Sequence, residues 1–273
     1  MTIDITAVGP RTWVTVTRRV LAGLFALSWL TVPGFGIPDL LVTWDPDWYQ
    51  VLEAGWGLFM GVLVAVPFIV LAAAPRFSDI AQGQLLVAVA ALAVAAVATA
   101  DWRLGIVIAL LAGEVFIASG LPRLPALTRP RRAGPLLAVA VVAAPAWIAY
   151  AVSLWPRELQ RLIDADYTMD IDHLGVQGAL AVALPSLAVL AAFWPRGRMF
   201  TGLSAGVCAF YLGLVSWAWP ETPTALPPAW SVACAAWGLA VAVLAPVLRP
   251  RGRSRRGTAR PRPHERGSSA PAM

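Results

Sequence analysis

An all-helical protein that crosses a membrane about eight times is the fold the chain predicts, and three observations predict it. Apolar residues make up 59% of the sequence and charged residues only 13%, with a mean hydropathy of +0.70. A soluble domain carries about 45–50% and about 25%. The apolar residues lie in long runs, each near the roughly 20 residues that a helix needs to cross hydrocarbon. Finally, the arginines alternate between the segments that separate those runs, as expected when positive charge is retained on the cytoplasmic side.

The predicted spans are 19–36, 51–74, 83–100, 104–121, 135–154, 175–194, 199–219 and 228–247. With the N-terminus inside, the inner segments hold Arg11, Arg18, Arg19, Arg76, Arg123, Arg129, Arg131, Arg132, Arg196, Arg198 and the tail arginines. Only Arg103, Arg157 and Arg161 fall outside. Both termini are therefore expected in the cytoplasm. Carboxylates complement this, with Asp39, Asp45 and Asp47 in the first outer loop and Glu221 in the fourth. Trp44, Trp48, Trp56, Trp102, Trp155, Trp217, Trp219 and Trp230 also gather outside, where amphipathic indoles favour the headgroup level.

Residues 1–248 read as one membrane-embedded bundle and 249–273 as a disordered cytoplasmic tail. The pieces outside the spans fall short of the roughly 50 residues a domain needs, which excludes a soluble catalytic domain, a nucleotide-binding domain and an ectodomain from this sequence. A four-plus-four repeat, 1–122 and 133–248, is suggested by two similar span ends. Val70-Leu71-Ala72-Ala73-Ala74-Pro75-Arg76 resembles Val189-Leu190-Ala191-Ala192-Phe193-Trp194-Pro195-Arg196. All 21 basic residues are arginine, and lysine and asparagine are absent. Both missing residues have A-rich codons, which points to a GC-rich bacterial genome and so to the bacterial plasma membrane. Arg18-Arg19 before an apolar run partly matches a twin-arginine signal. No small-residue cleavage site follows, so the segment reads as an uncleaved helix.

Glu114 is the one ionisable residue deep inside a predicted span. An intramembrane acid is costly, and it marks either a proton or ion pathway or a neutral hydrogen-bonding group. Glu53, at the outer mouth of the second span, reads instead as an interfacial residue in reach of water. Asp164, Asp166, Asp170, Asp172 and His173 offer oxygen and imidazole ligands to a divalent cation. Their spacing fails as an EF-hand, because Met169 replaces the turn glycine and Gly175 the closing glutamate.

Gly202-Leu203-Ser204-Ala205-Gly206 matches the serine-hydrolase pattern. Its serine lies at the far side of the membrane from His173, and His264 sits on the tail. Without a nearby base there is no activated nucleophile, and the segment reads as a small-residue packing face like Gly57 and Gly61. No enzyme activity and no cofactor are expected. Pro67, Pro145 and Pro185 should kink their spans, since each removes a backbone donor. Cys208 and Cys234 read as small packing residues.

Arg249, Arg251, Arg253, Arg255 and Arg256 should lie on anionic headgroups, at about 1 kcal/mol per arginine. Nucleic acid is a poor partner for this tail, because no aromatic residues interleave to stack on bases. The function that fits best is a small transporter or permease-like protein with Glu114 in its pathway. The alternative is a non-catalytic scaffold or partner subunit that associates with itself or another protein.

The topology has a direct test. Thr168→Cys and Leu127→Cys, each in a chain without Cys208 and Cys234, should label oppositely with an impermeant thiol reagent in intact cells. Equal labelling would remove the alternation.

Overall fold

The computed structural model describes residues 10–121, 125–127, 133–156, 167–168 and 171–248. The predicted headgroup arginines 249–256 lie outside the described residues, as do Asp164, Asp166 and Asp170 of the acidic loop.

Helix follows helix along the chain, in the order α1 (Pro10–Leu30), α2 (Gly36–Val42), α3 (Gln50–Gly57), a π-helical segment (Leu58–Ala65) and α4 (Val66–Ala73). A single 3-10 turn (Pro75–Phe77) leads into α5 (Ser78–Thr99) and α6 (Trp102–Ser119), followed by α7 (Gly134–Leu154). The last three are α8 (His173–Phe193), α9 (Arg198–Ala218) and α10 (Pro228–Val247). Just before α8 stands a two-residue antiparallel ladder, β1 (Tyr167–Thr168) on β2 (Ile171–Asp172), pairing Tyr167 with Asp172.

Among the described residues, seven helices have the length and apolarity to cross a membrane: Gln50–Ala73, Pro75–Thr99, α6, α7, α8, α9 and α10. That is one fewer than the sequence predicts. The difference lies in the first predicted span, 19–36. Helix α1 starts earlier, at Pro10, and carries Arg11, Arg18 and Arg19 within its length, so its apolar part is short. It then stops at Leu30, where Pro33 lacks the donor that an unbroken helix requires. The chain turns over residues 31–35 and resumes as α2.

The split helix Gln50–Ala73 is distorted for the same kind of reason. Pro67 cannot donate to a carbonyl one turn back, and Val66 N–H bonds Gly61 O in the wider π register. Val62 O then has no main-chain donor, since its π partner would be Pro67. Gln84, fully buried on α5, donates its Nε2 to Val62 O at 3.1 Å and reaches Leu63 O at 3.5 Å. Pro145 and Pro185 sit inside unbroken α7 and α8.

Arg198 performs a related task at the opposite end. It is 3% exposed and donates Nε to Ala191 O at 3.0 Å, with further bonds to Ala192 O and Leu248 O. One guanidinium thereby caps the carboxyl ends of α8 and α10, where unsatisfied carbonyls carry partial negative charge.

The helices contact one another in two similar rings. In the first, α1 packs on the split helix, the split helix on α5, α5 on α6, and α6 back on α1. In the second, α7 packs on α8, α8 on α9, α9 on α10, and α10 back on α7. Between the rings α5 meets α8, α9 meets the split helix, and α8 meets the split helix along the middle.

The contact of α9 with α10 is glycine-dependent. A Cβ on Gly206 would stand 2.6 Å from Gly238 O, and one on Gly202 would meet the Ala245 methyl. Cys208 and Cys234 are buried nearby, with the Cys234 thiol donating to Ala209 O at 3.1 Å.

Gln84→Leu should lower the unfolding free energy in mild detergent by about 0.6–2 kcal/mol, the range for interhelical hydrogen bonds in membranes. In a Pro67→Ala background residue 67 regains its N–H, and the same substitution should cost measurably less. A double-mutant cycle reads that difference.

Candidate functional site

The break between α1 and α2 lies halfway along the bundle. A Cβ on Gly36 would be 2.9 Å from Gly61 N, and Gly61 is near the middle of Gln50–Ala73. From there α2 runs beside α3 toward the end of the bundle that holds Trp44, and Gly57 packs on Leu40. Gly36 is required here for a second reason, because its missing Cβ leaves room for Trp29 O at 2.8 Å. The segment predicted as the first span is therefore a broken helix whose two pieces, α1 and α2, meet halfway along the bundle.

Two indoles hold the break. Trp56 of α3, 1% exposed, donates Nε1 to Gly34 O at 2.8 Å. Trp29, next to the end of α1, donates Nε1 to Glu114 Oε2 at 2.6 Å. Glu114 is half-buried on α6 and accepts this bond across the seam between α1 and α6.

On its other side Trp56 stacks on His173, with ring centroids 4.5 Å apart and 28° between planes. His173 is the first residue of α8, and its Nδ1 lies 3.9 Å from Glu53 Oε1. Both side chains are shut away, 1% and 2% exposed. A pair at this distance is electrostatically coupled without a direct hydrogen bond.

The polar chain continues from there. One turn along α8, Gln177 donates Nε2 to the Tyr150 hydroxyl, which donates in turn to Thr224 O at 2.9 Å. Toward the end of the bundle, the Thr222 hydroxyl donates to Gln50 Oε1 at 3.2 Å, and Gln50 Nε2 donates to Asp45 O at 2.7 Å. Gln177 Oε1, Thr224 Oγ1, Trp155 Nε1, Trp219 Nε1 and Ser216 Oγ have no hydrogen-bond partner among the described residues. Five such atoms near one end of an apolar bundle are unusual, since a buried unpaired group costs about 1–3 kcal/mol.

Two cavities touch this chain. A cleft of about 410 Å³ is lined by Gln50, Thr222, Trp48 and Trp219. A lateral cavity of about 890 Å³ opens between α7 and α10, lined by Pro145, Trp147, Trp230, Trp237 and, at one end, Tyr150. The polar residues from Gln50 to Tyr150 lie between the two.

Several sequence expectations change. Glu53 is not an interfacial residue in reach of water, because α2, α8 and α9 pack on α3 and leave it 1% exposed. Trp56 is not a headgroup anchor, whereas Trp44, Trp48, Trp102, Trp217 and Trp230 are well exposed. Asp39 is 6% exposed within α2 rather than in a hydrated loop. His173 turns into the bundle toward Glu53, and among the described residues no three His, Cys, Asp or Glu side chains come together to hold a metal ion. Gly57 and Gly61 pack on α2 and Gly202 and Gly206 on α10, all within the chain. Ser204 is buried, and among the described residues no histidine stands beside it.

Comparison with protein-family models, curated proteins and solved structures finds no match for this chain. The site is therefore interpreted from its own geometry.

Trp56→Phe tests the joint. Phenylalanine keeps a ring beside His173 and loses the donor to Gly34 O. Thermal unfolding in detergent should report a loss of about 0.6–2 kcal/mol, whereas Trp217→Phe, at an exposed position, should change stability by less than about 0.5 kcal/mol.

Proposed function

We propose that the chain is a small proton-linked transporter of the bacterial plasma membrane, with eight spans and both termini in the cytoplasm. The broken helix α1–α2 counts as the first span. The observation that carries the reading is this discontinuous helix, broken at mid-depth against a π-distorted neighbour and latched by Trp56 to the buried Glu53–His173 pair. Irregular backbone at membrane depth occurs where protein or a water-filled cavity surrounds it, and transporters place their sites at such breaks.

The assigned chemistry is proton exchange. Glu53 and His173 together hold one proton in a net neutral state, as a carboxylate with an imidazolium or as a carboxyl with an imidazole. Loading or removing one further proton changes the net charge in a low-dielectric site, which is what couples the pair to a change of conformation. Glu114 serves in this reading as the anchor of Trp29, and so of the moving piece. The two contact rings support an internal duplication, 1–122 and 133–248, related by an axis along the membrane normal. The repeated span ends also lie together, where Arg196 donates to Arg76 O at 3.0 Å and pairs with Asp79 at 3.0 Å.

The scaffold alternative relies on free glycine faces and on the arginine tail, which lies outside the described residues. Those glycines are occupied by contacts inside the chain.

Infrared spectroscopy of the reconstituted protein tests the proposal. A carboxyl band lost in Glu53→Gln should respond to pH and shift after exposure to heavy water, and the same band should persist in Glu114→Gln. A Glu53 carboxyl that neither titrates nor exchanges would mean a dry structural pair and would end the transport reading.

A further inference from the structure

At the opposite end of the bundle from His173, four elements leave a notch of about 150 Å³. Arg18, Arg19 and Thr15 line it from α1, Ser119 from α6, and Pro75 and Ser78 from the turn into α5. We infer that this notch binds the phosphate of an anionic lipid headgroup.

Its lining is made for an oxyanion. No carboxylate lines it, and the nearest acid in sequence, Asp79, is engaged by Arg196 at 3.0 Å. Arg18 has no ion-pair or hydrogen-bond partner among the described residues. Arg19 uses its Nε on Ala72 O at 2.7 Å, which points one edge of the guanidinium at the protein and keeps Nη groups for a ligand. Ser78 opens α5, a helix of 22 residues whose start has no side-chain cap. The Ser78 N–H is taken by Pro75 O, and the positive end of the helix dipole stands where an anion is favoured. Two guanidiniums and the positive end of a helix thus converge on one small space.

The rim identifies the source of the phosphate as lipid. Val20, Phe77, Ile117 and Leu121, which follow the lining residues in α1, the turn and α6, all expose large apolar surface. A phosphate held in the notch leaves acyl chains lying along that surface. Basic pockets between spans bind anionic headgroups in this way. The site is separate from the arginine tail and from the Glu53–His173 pair.

The test uses the purified full chain in a neutral detergent, titrated with short-chain phosphatidylglycerol, with phosphatidylcholine and with inorganic phosphate, and read by native mass spectrometry and calorimetry. Phosphatidylglycerol should bind in preference to phosphatidylcholine. Arg18→Gln should weaken it about fivefold, and Arg18→Gln with Arg19→Gln about thirtyfold, at about 1 kcal/mol per arginine. Arg18→Gln removes no hydrogen bond within the protein, so its melting temperature should match the parent and separate lost binding from lost fold. Changing Arg251, Arg253, Arg255 and Arg256 to Gln should leave this dependence in place, and so should Glu53→Gln, whatever becomes of transport. Equal binding of phosphatidylcholine, or binding unchanged in the double variant, would overturn the inference. Inorganic phosphate binding as tightly as the lipid would overturn the lipid assignment.

Discussion

Trp56 is the joint on which the middle of this bundle depends. Its indole N–H holds Gly34 O in the break of the first span, and its face covers His173 at the start of α8. One side chain thus ties together a short helix from the first ring, the split helix and the central helix of the second ring. Few residues suit both tasks. The ring must be large and flat to cover an imidazole, and its edge must donate to a carbonyl that helix geometry has left open. Glu53 stands one turn earlier on the same helix, so the coupled pair depends on the same placement.

The constraint behind this joint recurs through the fold. In hydrocarbon an open carbonyl has no water to turn to, and each must find a donor within the protein. Pro38 and Pro67 lack the N–H groups that would otherwise close Gly34 O and Val62 O, and the donors arrive from elsewhere in the chain: Trp56 for Gly34 O and Gln84 for Val62 O. Arg198 does the same for the carboxyl ends of α8 and α10. These repairs are long-range in sequence. They lock neighbouring helices in rotation as well as in position, which apolar packing between Ala- and Leu-rich faces achieves poorly.

The positions of the helices were legible in the sequence because length and apolarity decide them. Predicted boundaries for α7 to α10 fall within about two residues of those observed. The first span was not legible, because a turn around Pro33 and Gly34 inside an apolar run looks the same whether the run ends or doubles back. Rotation about a helix axis was also hidden. Glu114 drew attention by its depth, yet α6 is a peripheral helix and leaves the carboxylate half-buried with one indole. Glu53 lies closer to a helix end and was assigned to water, whereas α2, α8 and α9 pack on its helix and bury it. Burial in a bundle depends on which helices surround a residue more than on its distance from an end. Two signals were present: Gln84 and Gln177, amides within otherwise apolar runs, mark the faces that turn inward. A polar residue that cannot reach water must face a partner.

The Glu53–His173 pair is better suited to hold a mobile proton than Glu114 for a reason of charge balance. A lone carboxyl at depth has one neutral state, and leaving it creates a bare charge in a low-dielectric region. The pair has two neutral arrangements that differ only in which group holds the proton, so in the proposed role a proton would pass between α3 and α8 without a net charge, which appears only when one further proton is loaded or removed. Those helices belong to different contact rings and meet along the middle of the bundle. In the proposed role, a change in the pair's protonation would act on the contact between the two rings. At that contact Trp56 also touches the break between α1 and α2, which in the proposed role would link His173 to the Gly34 turn. The unpartnered oxygens of Gln177 and Thr224 lie next to the same contact, where a polar guest would complete hydrogen bonds that the chain leaves open.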